Sequence, residues 1–387
     1  MNSSKKRELY LITFFIIGKI ILRLEQFSFV YFSITIFAFI ALLVVYLKII
    51  KSLLKAFSIP FVLSLLLVLG YLIIRTKMMG FPIPIYLWMV LLMPIGIFLA
   101  YKNEIIKEPG ICFSIISNIY LIFFIANVIL MLIMPNLFNG SADKQGFLIA
   151  SNYNQMGGII VPGLLSATGA MQYNNKYKKK FLFMIILSIF MVLYAGSMTS
   201  SICLTLILIY FVFAHRCRFV SKLAFGGMTF CISFFFIDVV ITSLSDVIAF
   251  DGIIDRFLTF IGKDATFSGR TTVWFRSFFY FTSNPITGIG FYDKEWSEMY
   301  LSVANTHNIF MEILLQGGIV WTVIILFIIF RLIREVIKIN TKESRLALFI
   351  LLVYLFMMQL EVYRYFHIIM AFLILYMMSY ANKNLKL

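Results

Sequence analysis

The residues best suited to chemistry lie in one stretch of the sequence, residues 268–318. This stretch contains His307, two arginines and many aromatic residues, whereas most of the remaining chain is apolar. Because an imidazole titrates near neutral pH, His307 is suited to take a proton from an attacking hydroxyl group. The alternative interpretation is that His307 is only a polar residue at the start of a helix, with Asn305 or Thr306 as its N-cap.

Cationic and aromatic residues alternate upstream of this histidine. The cations are Arg256, Lys263, Arg270, Arg276 and Lys294, and the aromatic residues between them include Trp274, Phe275, Phe278, Phe279 and Tyr280. A guanidinium can hold two phosphate oxygens at once, and aromatic rings can lie against acyl chains or stack on sugar rings. This pattern indicates an anion site only together with a partner histidine. The alternative is that the arginines pair with Asp251, Asp255 and Asp264 or simply face water.

Two further polar sets could complete such a site. Glu312 and Gln316 are four residues apart, so on a helix they would share a face and could support Asn308 from below. Ordinary interhelical hydrogen bonds would explain this pair equally well. The second set is Glu361, Arg364 and His367. We interpret that set as an exposed ion pair beside a histidine at the membrane interface, and as a second-choice site.

The segment NPITGIG, residues 284–290, looks at first like a phosphate-binding loop. It lacks the GxGxxG spacing and follows no Rossmann strand, so we predict a turn. The four cysteines, Cys112, Cys203, Cys217 and Cys231, contain no CxxC pair. We therefore expect neither a disulfide framework nor a zinc site.

The elements that must position these residues are membrane-spanning helices. Of 387 residues, 62% are hydrophobic and 13% charged, against about 25% charged in an ordinary soluble domain. Apolar runs near the length of a bilayer crossing recur throughout, and in lipid a helix satisfies its own backbone. We predict an all-α polytopic bundle of about twelve spans. The spans are 9–22, 27–47, 57–74, 83–101, 110–134, 156–171, 181–196, 200–214, 223–241, 309–333, 346–360 and 366–380.

Basic residues set the predicted orientation of this bundle. Lys and Arg concentrate in alternate short loops such as KYKKK, residues 176–180, which places those loops and both termini in the cytoplasm. Topology and anionic lipid account for the net charge of +16 more simply than nucleic-acid binding does. We expect no nucleic-acid partner.

The predicted chain has three parts. Residues 1–241 hold spans one to nine, residues 242–306 form a long external loop, here called the outer loop, and residues 307–387 hold the last three spans. Apolar positions at helical spacing predict two or three amphipathic helices within the outer loop, which carries the candidate site. The sixth span, 156–171, is rich in glycine and should be kinked or closely packed.

Six elements occur in a fixed order along residues 268–318. They are Ser268-Gly269-Arg270, Trp274, Asn284-Pro285, Gly288-Ile289-Gly290, His307-Asn308 and Gly317-Gly318. This order resembles the signature of the O-antigen ligase and polymerase superfamily, and a twelve-span bundle with a long external loop is similar to the family plan. The stretch SNYNQMGG, residues 151–158, is similar to the family's Asn-containing stretch before a glycine-containing span.

The resemblance implies glycosyl transfer from a polyprenyl-pyrophosphate carrier at the outer face of a bacterial cytoplasmic membrane, without metal or cofactor. It implies that Arg270 holds the pyrophosphate and that His307 is the base. Further candidates for substrate binding are Arg256, Arg276, Arg364, Trp274, Asn305, Asn308 and Glu312. The family often carries a Ser-Arg pair between spans seven and eight, where this chain has GSMTSS at residues 196–201. A second cation must therefore come from Arg256, Arg276 or Arg364.

The implied chemistry agrees with the residue types. A pyrophosphate leaves already ionised, so positive charge around it matters more than a general acid. A sugar hydroxyl needs a base as it attacks the anomeric carbon, and direct attack inverts the configuration without paired carboxylates.

These features favour a polymerase that joins lipid-linked repeat units, with membrane lipids, a flippase and a chain-length regulator as further partners. A ligase would use the same residues to transfer finished glycan to another acceptor. A transporter or flippase of lipid-linked sugars is less consistent with the few ionisable residues within the spans. The third class of function that we consider is a noncatalytic scaffold for an assembly complex of the cell envelope.

Overall fold

The computed structural model describes residues 1–21, 28–49, 60–133, 155–214, 270–303 and 305–385. All regular structure within these ranges is helical. The helices are α1 (Ser3–Ile21), α2 (Ser28–Ile49), α3 (Pro60–Met78), α4 (Ile85–Tyr101), α5 (Glu104–Lys107), α6 (Pro109–Ile133), α7 (Met156–Tyr173), α8 (Lys178–Tyr194), α9 (Met198–Ile209), α10 (Arg270–Ser283), α11 (Lys294–Leu301), α12 (Ile309–Ile337), α13 (Lys342–Leu360) and α14 (Tyr365–Leu385).

The described helices make this an all-α, multi-pass membrane protein. Five of them, α3, α6, α12, α13 and α14, are both long enough and apolar enough to cross a bilayer. Shorter apolar helices cover Phe32–Lys48, Leu87–Tyr101 and Met198–Phe213. Every predicted span overlaps a described helix except 223–241, which lies outside the described residues. The total of twelve crossings stays a prediction.

Helix α7 lies at the centre of the bundle and packs against α6, α8, α13 and α14. All its residues from Met156 to Met171 are buried. Its glycines allow this: a Cβ on Gly163 would lie 3.0 Å from the Phe124 ring, and one on Gly169 would lie 2.8 Å from Phe113. The prediction of a closely packed glycine-rich helix is confirmed.

Segments that are predicted to lie on the same side of the membrane are in contact with one another. Lys383 near the C-terminus lies 2.8 Å from Glu335 at the end of α12. At the other end of α12, the loop after α10 meets the end of α3, where Arg75 Nε donates to Gly288 O at 2.8 Å. When successive helices cross the membrane in opposite directions, the loops on each side of the bundle come together in this way.

Helix α12 is broken at Gly318, where φ is 65° and ψ is −169°. The predicted span 309–333 is therefore two helical pieces, and it runs on to Ile337. Residues 284–290, here called the 284–290 loop, fill the break. The hydrogen bonds are Ile289 N to Leu315 O (2.9 Å), Gly290 N to Gln316 O (2.8 Å), Ile319 N to Pro285 O (2.9 Å) and Val320 N to Ile286 O (3.2 Å). Backbone groups freed by the break are thus satisfied, as a membrane interior requires.

The break depends on two glycines that touch through their backbones. Gly288 and Gly318 both have positive φ, 68° and 65°. A Cβ on Gly288 would lie 2.4 Å from the Gln316 carbonyl, and one on Gly318 would lie 2.4 Å from Ile286 O. Only glycine fits such positions. The predicted turn at NPITGIG is confirmed, and its partner is the Gly317-Gly318 pair.

Candidate active site

Residues 305–308, here called the His307 segment, form the entry to α12. Asn308 is the N-cap: its side chain accepts from Phe310 N at 2.9 Å and from Met311 N at 3.2 Å, and it is 1% exposed. The alternative interpretation, in which Asn305 or Thr306 caps this helix, is therefore wrong about the cap. Asn305 Oδ1 instead accepts from His307 N at 3.0 Å, which stabilises His307 at a φ of 53°.

The residue before the histidine is anchored from three sides. Thr306 is fully buried. Its carbonyl accepts from Trp274 Nε1 of α10 at 2.8 Å, and its N–H donates to Glu312 Oε2 at 3.2 Å. Its hydroxyl donates to Asn308 O at 2.7 Å. The backbone that carries His307 is thus fixed by α10 and by the first turn of α12.

Glu312 connects this anchor to two tyrosines. Its Oε1 accepts from Tyr292 Oη and from Gln316 Nε2, each at 2.6 Å. Gln316 Oε1 in turn accepts from Tyr365 Oη of α14 at 2.7 Å. Glu312 and Gln316 therefore do share a face and steady the site, but through Thr306 and not through the Asn308 side chain. Burial and the adjacent Glu312 raise the pKa of Tyr292 well above its usual value, so this phenol remains a donor.

The His307 imidazole faces a carboxylate from another part of the chain. His307 Nδ1 lies 3.8 Å from Glu361 Oε2. The side chain of Glu361 is 9% exposed and that of His307 is 34% exposed. Nδ1 is itself buried and has no hydrogen-bond partner among the described residues. The distance exceeds that of a hydrogen bond, but sites of this kind often tighten only when substrate binds.

The set of Glu361, Arg364 and His367 differs from its prediction. Glu361 is 7% and His367 1% exposed, so the expected exposed ion pair with an interfacial histidine is wrong. Of the three only Arg364 is exposed. Because Glu361 lies near His307, it belongs to the same site as that histidine.

The start of α7 borders the site as well. Gln155 Nε2 donates to Val362 O at 2.6 Å, in the connection between α13 and α14. A Cβ on Gly158 would lie 2.6 Å from the Tyr363 ring, so α7 packs directly against this connection. The end of the SNYNQMGG stretch thus lies beside Glu361, while residues 151–154 lie outside the described residues.

The predicted cations occupy different positions. Arg270 is the first residue of α10, one turn before Trp274, so both positions share a helix face. The Arg276 guanidinium donates to Ser302 Oγ. Arg364 lies in the α13–α14 connection, and Arg256 falls outside the described residues, as do Asp251, Asp255 and Asp264.

Sequence reasoning missed three residues of this region. Arg75 of α3 donates to Gly288 O and, at 3.0 Å, to Asn284 Oδ1, which fixes the 284–290 loop. Tyr292 and Tyr365 hold Glu312 and Gln316. Arg75 stands at the end of an apolar run, where a cation is usually read as a topology signal, so nothing in its context pointed to this contact.

An apolar groove opens beside the site between α3, α12 and α14. It is lined almost entirely by apolar side chains. The lining includes Phe61, Leu65, Phe310, Trp321, Tyr365 and Phe372. Phe310 follows the His307 segment closely and Tyr365 binds Gln316, so one end of the groove lies next to the anchored histidine.

Part of the chain matches a known family. Residues 183–328 match the family model described as O-Antigen ligase. The matched range contains α10, α11, the His307 segment and the break in α12, whereas Glu361, Arg364 and Gln155 lie outside it. No curated protein matches the chain.

Proposed function

We propose that this chain, a member of the O-antigen ligase/polymerase superfamily by its match over residues 183–328, is a cell-surface polysaccharide polymerase. The polymerase transfers glycan from a polyprenyl-pyrophosphate carrier onto a lipid-linked repeat unit at the outer face of the cytoplasmic membrane. In this arrangement the bundle has twelve spans and cytoplasmic termini, and the outer loop and His307 face outward.

The pairing of His307 with Glu361 is the observation that carries this proposal. A general base that must bind a proton is more effective when a carboxylate orients its ring and stabilises the imidazolium. The 3.8 Å separation of His307 Nδ1 and Glu361 Oε2 supports this role. The Asn305 and Thr306 contacts support it further, because they fix the histidine backbone before substrate arrives.

The reaction balances with these groups alone. The acceptor hydroxyl oxygen forms a bond to the anomeric carbon of the donor while His307 takes the hydroxyl proton. The bond between that carbon and the phosphate oxygen breaks, and the pyrophosphate leaves with the electron pair, already ionised. Attack from the opposite face inverts the configuration, and a guanidinium stabilises the developing charge.

Arg270 and Arg364 are the cations that we assign to the pyrophosphate. Arg270 stands one turn before Trp274, whose indole binds Thr306, so the start of α10 lies beside the His307 segment. Arg364 stands in the same connection as Glu361 and is exposed. Arg276 already donates to Ser302, which makes it the weaker candidate.

Three predicted substrate-binding residues are better explained as supports. Asn308, Glu312 and Trp274 are buried, at 1%, 5% and 4% exposure, and each makes hydrogen bonds within the His307 segment or its cap. The apolar groove beside Phe310 suits the hydrocarbon chain of the carrier. A flippase that delivers the substrate and a regulator of chain length are the partners that such a reaction requires.

The test is to incubate the purified protein with lipid-linked single repeats and separate the products by size. A polymerase makes a ladder of lengths and releases polyprenyl pyrophosphate. One transfer to a different lipid acceptor identifies a ligase. Movement of substrate across vesicles without any new glycosidic bond identifies a transporter and overturns the proposal.

A further inference from the structure

A cluster of aromatic side chains lies beside the candidate site and has no part in the chemistry above. Trp296 of α11 is its centre. The centroid of its ring system lies 4.8 Å from that of Tyr292, 5.0 Å from Tyr300 and 5.4 Å from Tyr280. Tyr280 and Tyr300 are also close to each other, at 5.1 Å. We call Tyr280, Trp296 and Tyr300 the aromatic platform.

The platform presents polar groups that the protein does not use. Tyr280 and Trp296 are half-buried, and Tyr300 is 37% exposed. Within the described part of the chain, neither Trp296 Nε1 nor the two hydroxyl groups has a hydrogen-bond partner. Tyr292, the fourth ring, is buried and bonded to Glu312. The platform therefore combines ring surface with free donors and acceptors.

The platform is connected rigidly to the histidine. Tyr292 contacts Trp296 and donates to Glu312 Oε1, while Glu312 Oε2 accepts from the N–H of Thr306, next to His307. One carboxylate thus links the aromatic rings to the backbone of the proposed base. A ligand on the platform lies at a fixed position relative to that base.

The platform has both apolar and charged side chains around it. Phe279, whose ring lies 5.5 Å from that of Tyr280, and Met299 of α11 are exposed apolar residues. Lys294, Glu295 and Glu298 are exposed on the eight residues of α11, and Lys294 pairs with Glu298 at 3.3 Å. Three exposed charged side chains within eight residues favour a hydrated position for α11 over burial among acyl chains. A sugar has an apolar C–H face and hydroxyl groups around it, which match ring surface, free donors and nearby carboxylates.

We propose that Tyr280, Trp296 and Tyr300 form a subsite for the glycan part of the lipid-linked substrate. This assignment rests on the proposed function, because a saccharide must lie near His307 for transfer. The subsite positions sugar residues, and the groups that react remain His307 and the pyrophosphate site.

Steady-state kinetics of the full-length protein in lipid nanodiscs test the subsite. The probe is the lipid-linked repeat unit extracted from the host membrane. We expect Trp296→Ala and Tyr300→Ala to raise KM about tenfold, equivalent to about 1.4 kcal/mol, with kcat changed less than about threefold. Trp296→Phe keeps a ring and should have a smaller effect. Trp88→Ala, an exposed tryptophan on α4, is the matched control and should change neither constant.

A second experiment separates this inference from the proposed function. Oligosaccharide released from the lipid by mild acid is titrated against the tryptophan fluorescence of the protein and of Trp296→Phe. A saturable change that Trp296→Phe lacks supports the subsite even if no transfer is observed. No saturable change, unaltered KM in both alanine variants, or quenching of Trp296 by brominated acyl chains as strong as that of Trp88 overturns it. The last result would make the platform a membrane anchor.

Discussion

His307 Nδ1 lies 3.8 Å from Glu361 Oε2, across the gap between the start of α12 and the α13–α14 connection. The two residues come from segments that the sequence separates by two long helices. Their proximity places Glu361, from the second polar set of the sequence, in the same site as His307. It also gives the proposed base an orienting carboxylate, which is the feature that the first prediction tests.

Replacement of Glu361 should slow the chemical step. We expect Glu361→Gln to lower kcat about 10- to 100-fold, part of the 10²- to 10⁴-fold that a general base contributes, with KM and thermal stability little changed. Glu361→Asp should retain more activity because it keeps the charge. The control is Glu335→Gln, at the opposite end of α12, which should behave like wild type. An unchanged kcat in Glu361→Gln would show that the carboxylate does not assist the histidine.

Replacement of Glu312 should instead destabilise the protein. Glu312→Ala leaves the Thr306 N–H and the Tyr292 hydroxyl without their acceptor, and each unsatisfied buried group costs about 1–3 kcal/mol. Thermal unfolding in detergent should therefore occur at a clearly lower temperature, and activity should fall with it. Glu298→Ala removes only an exposed pair with Lys294, worth about 0–1 kcal/mol, and is the control. Equal unfolding temperatures for the two variants would contradict the assigned network.

Alanine should not be tolerated at the break in α12. In Gly288→Ala and Gly318→Ala the new Cβ meets backbone atoms at 2.4 Å, and the backbone has positive φ. We expect loss of folded protein in the membrane fraction, measured by size-exclusion chromatography. Gly70→Ala places its Cβ in open space and should fold normally. Normal yield and activity of the Gly318 variant would mean that the 284–290 loop does not fill the break as described.

Loss of one indole N–H should weaken the anchor of the His307 segment. Trp274→Phe keeps an aromatic ring, although a smaller one, and removes the donor to Thr306 O, a hydrogen bond worth about 0.5–1.5 kcal/mol. We expect a small loss of stability and a larger fall in kcat, because the backbone next to the base becomes less fixed. Trp88→Phe is the control. A fall in stability without any change in kcat would limit Trp274 to a structural role.

The helices could be predicted from the sequence, but the contacts between them could not. The span predicted at 110–134 forms a helix at Pro109–Ile133, because an apolar run in lipid has few other choices. Local spacing also predicted that Glu312 and Gln316 share a face. The meeting of Arg75 with Gly288 depends on which loop ends lie together, and periodicity along one helix contains no such information.

The break in α12 is a second feature that could not be predicted from the sequence. The Gly317-Gly318 pair is visible in the sequence, but a glycine pair within an apolar run more often signals close helix packing. The break is stable because Ile289 and Gly290 supply donors from a distant loop. Likewise, Glu361 is buried because the connection that carries it packs against α7. Its sequence neighbours gave no sign of this packing and suggested that Glu361 was exposed.

The most direct test of the central claim is a single-turnover measurement of glycosyl transfer by His307→Ala with lipid-linked repeat units. If His307 is the base, the rate of new glycosidic bond formation should fall by at least about 100-fold. Unfolding temperature should remain close to that of wild type, because this side chain is a third exposed. A rate within about threefold of wild type, in a variant that folds and binds substrate normally, would contradict the claim.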